Sequence, residues 1–151
     1  MSVTRTFTVT VVSTGSGNKY FIDGVQQDTL NLAEGGTFRF DQSDSSNGSG
    51  IGHPLRFSTT NDGTHSGGSE YTTGVTTNGT PGQAGAYTQI EVAASAPTLY
   101  YYCTNHSGMG GQANTISGDS YGAFGWSINR WGVESEIILG WGGSSWNDGE
   151  W

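Results

Sequence analysis

The alternation of hydrophobic and polar residues along the first hundred positions predicts a series of short β-strands. From position 4 to 13 the chain reads TRTFTVTVVS, which places Phe7, Val9 and Val11 on one face and threonines on the other. A period of two is the pattern of a half-buried strand. Further strands are predicted at 19–22, 30–32, 37–40 and 86–92, with glycine-rich turns between several of them. Short strands at these spacings are typical of a β-sandwich or barrel.

Two more predicted strands each carry a residue with metal-binding chemistry at one end. His53 opens a strand in which it shares a face with the apolar residues at positions 55 and 57, and Cys103 closes the strand at 99–103 on its apolar face. Tyr100 and Tyr102 alternate with that face. They are therefore expected on the outer surface of the sheet or against a neighbouring subunit.

The segment from 58 to 85 is rich in glycine, serine and threonine and is predicted to form a long loop. Turn dipeptides occur at 62–63, 78–79 and 81–82. A loop of this length usually has a function or lies against another part of the protein. His65 lies within the segment and is expected to be exposed to solvent.

The amino-acid composition favours a β-rich protein and argues against nucleic-acid and membrane partners. The 151 residues include 26 glycines, with only 32% hydrophobic and 12% charged residues, which favours turns and polar strand faces over helices. With 5 Lys and Arg against 13 Asp and Glu the formal charge is -8, so nucleic acid is not expected as a direct partner. No apolar run approaches the roughly 20 residues of a membrane helix, and no membrane partner is expected.

The first residues do not have the pattern of a secretory signal, so either the chain is made and used in the cytoplasm or its export is not encoded in this sequence. The carboxylates are scattered along the chain. They form no acid-base pair, no Ser-His-Asp order is present, and no phosphate-binding glycine loop precedes a helix. The sequence therefore does not predict an enzyme.

The segment CTNHSGM places Cys103, His106 and Met109 in one turn-forming stretch after a strand, and His53 ends a separate loop upstream. Two imidazoles, a thiolate and a weak axial thioether form the ligand set of a blue-copper site. These four residues therefore predict a copper site. The alternative is a relic site in which the same side chains pack and form hydrogen bonds without a metal, and Cys103 alone would be read as a small buried hydrophobe.

Residues 3 to about 115 resemble a cupredoxin, a Greek-key β-sandwich that holds copper between loops at one end. The C-x-x-H-x-x-M spacing is that of the family members with the shortest ligand loop. The resemblance implies that His53, Cys103 and His106 are equatorial ligands and that Met109 is the axial ligand. Where the family commonly has Asn after the first histidine, this chain has Pro54, so the connection between the two ligand loops is expected to come from elsewhere.

A second resemblance rests on the strings HPLRFSTT from position 53, GGSEY from position 67, and YYC through HSGMGG from position 101. They are similar to cupredoxin-like proteins predicted in marine bacteriophages, cyanophages in particular. This resemblance implies a protein of the virion, assembled in the host cytoplasm. An electron carrier would instead be expected in the periplasm or outside the cell.

All five tryptophans lie in the C-terminal segment and are separated by five or ten residues. They are Trp126, Trp131, Trp141, Trp146 and Trp151. Glycines beside most of them indicate a turn-rich aromatic extension, in which only 134–139 reads as a strand. Because tryptophan is a preferred interface residue, and because the segment resembles the Gly-Trp repeats of virion proteins, an assembly role is favoured. The alternative is a tail that folds back onto its own core.

The leading interpretation is a bacteriophage virion structural protein, either a capsid decoration or a tail or fibre component. Residues 1–116 would form the cupredoxin-like β-sandwich and 117–151 the assembly tail, with other copies of the chain and other virion proteins as partners. The alternative is a blue-copper electron-transfer protein that uses the His-Cys-His-Met site. A third interpretation joins the two, since a structural protein can retain copper to stabilise its loops.

Overall fold

The computed structural model of the protein describes residues 2–117. The five tryptophans of the predicted assembly tail and the strand predicted at 134–139 lie outside this range. Among the described residues, no helix is long and apolar enough to span a membrane.

The described part of the chain consists of β-strands joined by turns, with two short 3-10 turns at Ser45–Gly48 and Gly63–Ser66. The strands are β1 (Arg5–Thr14), β2 (Gly17–Ile22), β3 (Val25–Gln26), β4 (Leu30–Ala33), β5 (Thr37–Asp41), β6 (Leu55–Ser58), β7 (Glu70–Tyr71), β8 (Val75–Asn78), β9 (Tyr87–Glu91), β10 (Leu99–Cys103) and β11 (Gly111–Ile116). The prediction of an all-β protein is therefore confirmed.

The strands form two sheets. One has the order β3-β2-β1-β5-β9-β8 and the other the order β4-β11-β10-β6-β7. In the first sheet β1 runs parallel to β5, whereas β9 is antiparallel to both β5 and β8. In the second sheet β10 is antiparallel to both β6 and β11. The two sheets make the predicted β-sandwich.

The core lies between the sheets and is rich in aromatic rings. Phe40 of β5 stacks on Phe7 at a centroid distance of 5.0 Å and meets Phe57 of the opposite sheet edge-on at 5.3 Å. Phe7 and Val9 are buried as the alternation in β1 predicts. Since burying one such side chain contributes about 1.5–3 kcal/mol, these contacts hold the two sheets face to face.

The prediction of a continuous loop over 58–85 is wrong in part. This segment contains the turn Gly63–Ser66, β7, which pairs with β6, and β8, which pairs with β9. β8 reads VTTN at a sheet edge, where only Val75 is partly buried and the other three residues are exposed. An edge strand of this kind has little hydrophobic alternation to detect.

The strand β11 is missing from the sequence prediction as well. Its sequence is GQANTI, and Ala113 is its one fully buried residue. It nevertheless lies between β4 and β10 in the second sheet. Small and polar residues supply no periodic signal here, so the pairing with β10 depends on contacts that a local pattern does not encode.

Candidate metal centre

The strands β6 and β10 bring the predicted ligands together at one end of their sheet. They are antiparallel and place Cys103 opposite Leu55, so the start of β6 and the end of β10 lie side by side. His53 precedes Leu55 by two residues on the same face. The ligand atoms of His53, Cys103 and His106 all lie within 4.8 Å of one another.

Met109 completes the predicted set. Its side chain is buried and belongs to the same core cluster as Cys103. Its backbone carbonyl accepts a hydrogen bond of 2.9 Å from the N–H of Tyr20 in β2. The loop between β10 and β11 is therefore anchored to the opposite sheet at the methionine, and the four predicted ligands lie close together.

The distances within the cluster suit a shared metal ion. Sγ of Cys103 lies 3.8 Å from Nδ1 of His53 and 3.7 Å from Nδ1 of His106. With metal bonds of about 2.3 Å to sulfur and about 2.0–2.1 Å to nitrogen, as zinc has, tetrahedral to trigonal geometry separates sulfur from nitrogen by about 3.5–3.8 Å. The separations of Sγ from both nitrogens therefore fit a single ion that bonds to all three.

The site is almost closed to water. Cys103 is 0% and His53 1% exposed, whereas His106 is partly exposed. Burial lowers the pKa of His53, and the neighbouring imidazole of His106 lowers it further. The His53 ring is thus held in the neutral form, which is the form that binds a metal.

A serine sets the orientation of the His53 ring. Oγ of Ser49 lies 3.0 Å from Nε2 of His53, and Ser49 is the residue that ends the turn Ser45–Gly48. When Nε2 donates its proton to this hydroxyl, the lone pair of the ring lies on Nδ1, the nitrogen that faces Cys103. A partner on the second nitrogen is the usual way to orient a histidine ligand.

The backbone of His53 is held by side chains from two directions. Its carbonyl accepts a hydrogen bond of 2.6 Å from the hydroxyl of Tyr20 and one of 2.7 Å from Nε2 of Gln42. Its N–H donates to the carbonyl of Asn47 at 2.8 Å. Burial raises the pKa of Tyr20 well above its ordinary value, and the nearby Cys103 raises it further, so the hydroxyl remains a donor.

The connection between the two ligand loops comes from residues that follow Cys103, in keeping with the expectation that Pro54 could not provide it. The N–H of Thr104 donates to the carbonyl of Pro54 at 3.1 Å. Nδ2 of Asn105 donates to the carbonyls of Gly52 at 3.0 Å and Ile51 at 3.3 Å. The donors therefore lie on the Cys103 side, and the loop before Pro54 supplies the acceptors.

Two residues near Cys103 lie where the sequence predicts but make contacts that it did not predict. Tyr102 is on the outer face of its sheet, where another segment of the same chain buries it. The turn Gly63–Ser66 covers it so closely that a Cβ atom at Gly63 would lie 2.6 Å from its ring. His65 is exposed as predicted, yet its Nε2 lies 2.8 Å from the carbonyl oxygen of Cys103.

Sequence reasoning missed the contact of His65 because it joins residues 38 positions apart. Hydrophobic alternation does not report the path of a polar loop. The one available signal was the turn dipeptide at 62–63 immediately before His65, which indicates a sharp change of direction but not its destination.

Comparison with known proteins supplies no relative from which a function could be transferred. A scan against protein-family models and a search of the curated proteins gave no match to this chain. The function of the protein is therefore inferred from the geometry of the candidate metal centre.

Proposed function

We propose that this protein binds copper through His53, Cys103, His106 and Met109 and uses it to transfer single electrons. The observation that supports this most is the near-equal separation of Sγ of Cys103 from the Nδ1 atoms of the two histidines, 3.8 and 3.7 Å. Two imidazoles, a thiolate and a thioether form a set of ligands that suits copper. When bound, copper supplies a one-electron couple between Cu(II) and Cu(I).

The protein residues would bind the ion, orient its ligands and exclude water. Cys103 would lose its proton on binding, since a thiolate is the ligand form of cysteine. Burial of Cys103, His53 and Met109 keeps solvent from the sulfur side of the site. This exclusion of water would limit changes in the coordination of a bound copper ion between its two oxidation states.

One side of the site is open to a redox partner. The imidazole of His106 is partly exposed, and Ile51 is 75% exposed. Asn105, next to His106, donates to the carbonyl of Ile51, so the apolar side chain and the ligand loop lie at the same end of the molecule. A second protein that carries a one-electron centre could approach His106 across this surface.

A Cu(II) titration of the purified protein tests the proposal. We expect stoichiometric binding, an intense blue absorption band and narrow copper hyperfine splitting in the electron paramagnetic resonance spectrum. The variant Cys103→Ser should lose the blue band, because the band requires a thiolate bonded to Cu(II). Ser107→Ala, an exposed position in the same loop, should keep it. A colourless wild-type protein, or a signal that survives in Cys103→Ser, would contradict the proposal.

The virion role stays a separate prediction, because the tryptophans that would form its interfaces lie outside the described residues. A copper-binding sandwich is compatible with that role as well as with a free electron carrier. The titration addresses the metal centre alone, so its result does not depend on whether the protein assembles.

A further inference from the structure

A segment outside the predicted ligand set contacts the metal-ligand loop near both of its ends. We call residues 60–68 the strap. Nε2 of its His65 lies 2.8 Å from the carbonyl oxygen of Cys103, at the start of the ligand loop. A carboxylate oxygen of its Asp62 accepts a hydrogen bond of 2.9 Å from the N–H of Gly108, the residue before Met109. The strap therefore spans the loop from Cys103 to the residue before Met109.

The conformation of the strap is held by its own hydrogen bonds and by the ring beneath it. Asp62 has a φ of 64°, and Gly67 has a φ of 81°. A left-handed conformation at a residue with a side chain costs free energy and persists where the surroundings impose it. Here the N–H of Gly68 donates to the carbonyl of Gly63 at 3.0 Å, and Gly63 packs against the ring of Tyr102.

The imidazole of His65 is fixed by two contacts. Its ring meets the ring of Tyr102 edge-on, with the centroids 6.2 Å apart and the planes at 84°. Its Nε2 faces a carbonyl oxygen, which can only accept, so Nε2 carries the proton. The N–H dipole thus points its positive end at the backbone of Cys103, a few bonds from the sulfur.

We propose that His65 is a positioning residue that sets the reduction potential of the copper site through the carbonyl of Cys103. This inference rests on the proposed function. His65 does not touch the metal, but its N–H withdraws electron density from the residue that supplies the thiolate. A partial positive charge near the site disfavours Cu(II), the more positive state, relative to Cu(I). In other metalloproteins, hydrogen bonds to the ligand residues from groups that do not bind the metal change the properties of the metal site.

The test compares the copper-loaded full-length wild type with His65→Ala, His65→Gln and Ser66→Ala. Midpoint potentials are measured against hexacyanoferrate(II), which gives one electron to Cu(II) and becomes hexacyanoferrate(III). We expect His65→Ala to bind copper stoichiometrically and to shift the equilibrium about tenfold toward Cu(II), which for one electron is about 59 mV. In His65→Gln the side-chain Nε2 can donate to the same carbonyl, so the midpoint potential should stay close to the wild-type value. Ser66 is exposed on the same turn, and its variant should match the wild type.

The variants His65→Asn and His65→Gln keep the test valid if His65→Ala does not fold. His65→Asn and His65→Gln both carry a side-chain amide. Nδ2 of Asn reaches only the position of the histidine Nδ1, so it cannot donate to the carbonyl of Cys103, and this variant should shift the potential. His65→Gln should not shift it. A blue wild type whose potential and hyperfine splitting are the same in Ala, Asn and Gln variants would overturn the inference and leave the proposed function standing. A wild type that binds no copper would overturn both.

Discussion

At the scale of single residues, every polar atom of His53 has a partner, and Nδ1 faces Sγ of Cys103 at 3.8 Å. Its N–H donates to Asn47, its carbonyl accepts from Tyr20 and Gln42, and its Nε2 is paired with Ser49. The ring and the backbone are therefore ordered before any metal arrives. The conformational entropy of placing this ligand is lost during folding, so binding the metal need not supply it.

The pairing with Ser49 yields a prediction for metal affinity. Ser49→Ala removes the partner of Nε2, so the ring can rotate and its tautomer is no longer selected. We expect copper affinity to fall by about 10- to 100-fold, the usual effect of losing such a partner. A competition titration with a copper chelator measures this change. Ser16→Ala, in the exposed turn between β1 and β2, is the control, and equal affinities in the two variants would rule out the assigned role.

At the scale of elements, Gln42 links the end of β5 in one sheet with the start of β6 in the other. Its Nε2 donates to the side chain of Asn47 and to the carbonyl of His53. Its Oε1 accepts a hydrogen bond of 2.9 Å from the N–H of Leu55. Gln42 is 1% exposed, so one buried amide joins both sheets at the metal end.

Replacing this amide should destabilise the protein strongly. Gln42→Met keeps the approximate shape but leaves the N–H of Leu55 and the side-chain oxygen of Asn47 without this partner. Each buried group left unpaired costs about 1–3 kcal/mol, so we expect the free energy of unfolding to fall by about 3 kcal/mol. Urea unfolding measures the loss. Gln89→Met, a half-buried position on β9 whose amide faces Arg39, should cost less than about 1 kcal/mol, and similar losses in both variants would refute the argument.

At the scale of the whole molecule, the sandwich and the tail can be separated by experiment. β11 ends at Ile116, so a chain that ends there keeps every strand of the described sheets. We expect deletion of 117–151 to leave a folded, copper-binding monomer, whereas the full chain assembles through its tryptophans. Analytical ultracentrifugation of the two chains measures the difference. A truncated chain that still assembled, or a full chain that stayed monomeric, would exclude the tail as the assembly element.

A feature of the fold or of the site could be predicted from the sequence where its residues lie close together along the chain. Cys103, His106 and Met109 lie within seven consecutive positions, and strand alternation placed His53 on the inward face, so the cluster could be predicted. The strap could not be, because its contacts to Cys103 and Gly108 span 38 and 46 positions. Polar loops and edge strands lack the periodic hydrophobic signal on which such predictions depend.

The burial of Cys103 has a further consequence for how chains can be joined. It is the one cysteine of the whole sequence, and none of its surface is exposed. A disulfide between two copies would need both sulfurs within bonding distance, which the enclosing side chains prevent while the sandwich is folded. Air oxidation should therefore form no disulfide between copies of the native protein, so an assembly of intact chains would contain no such bond.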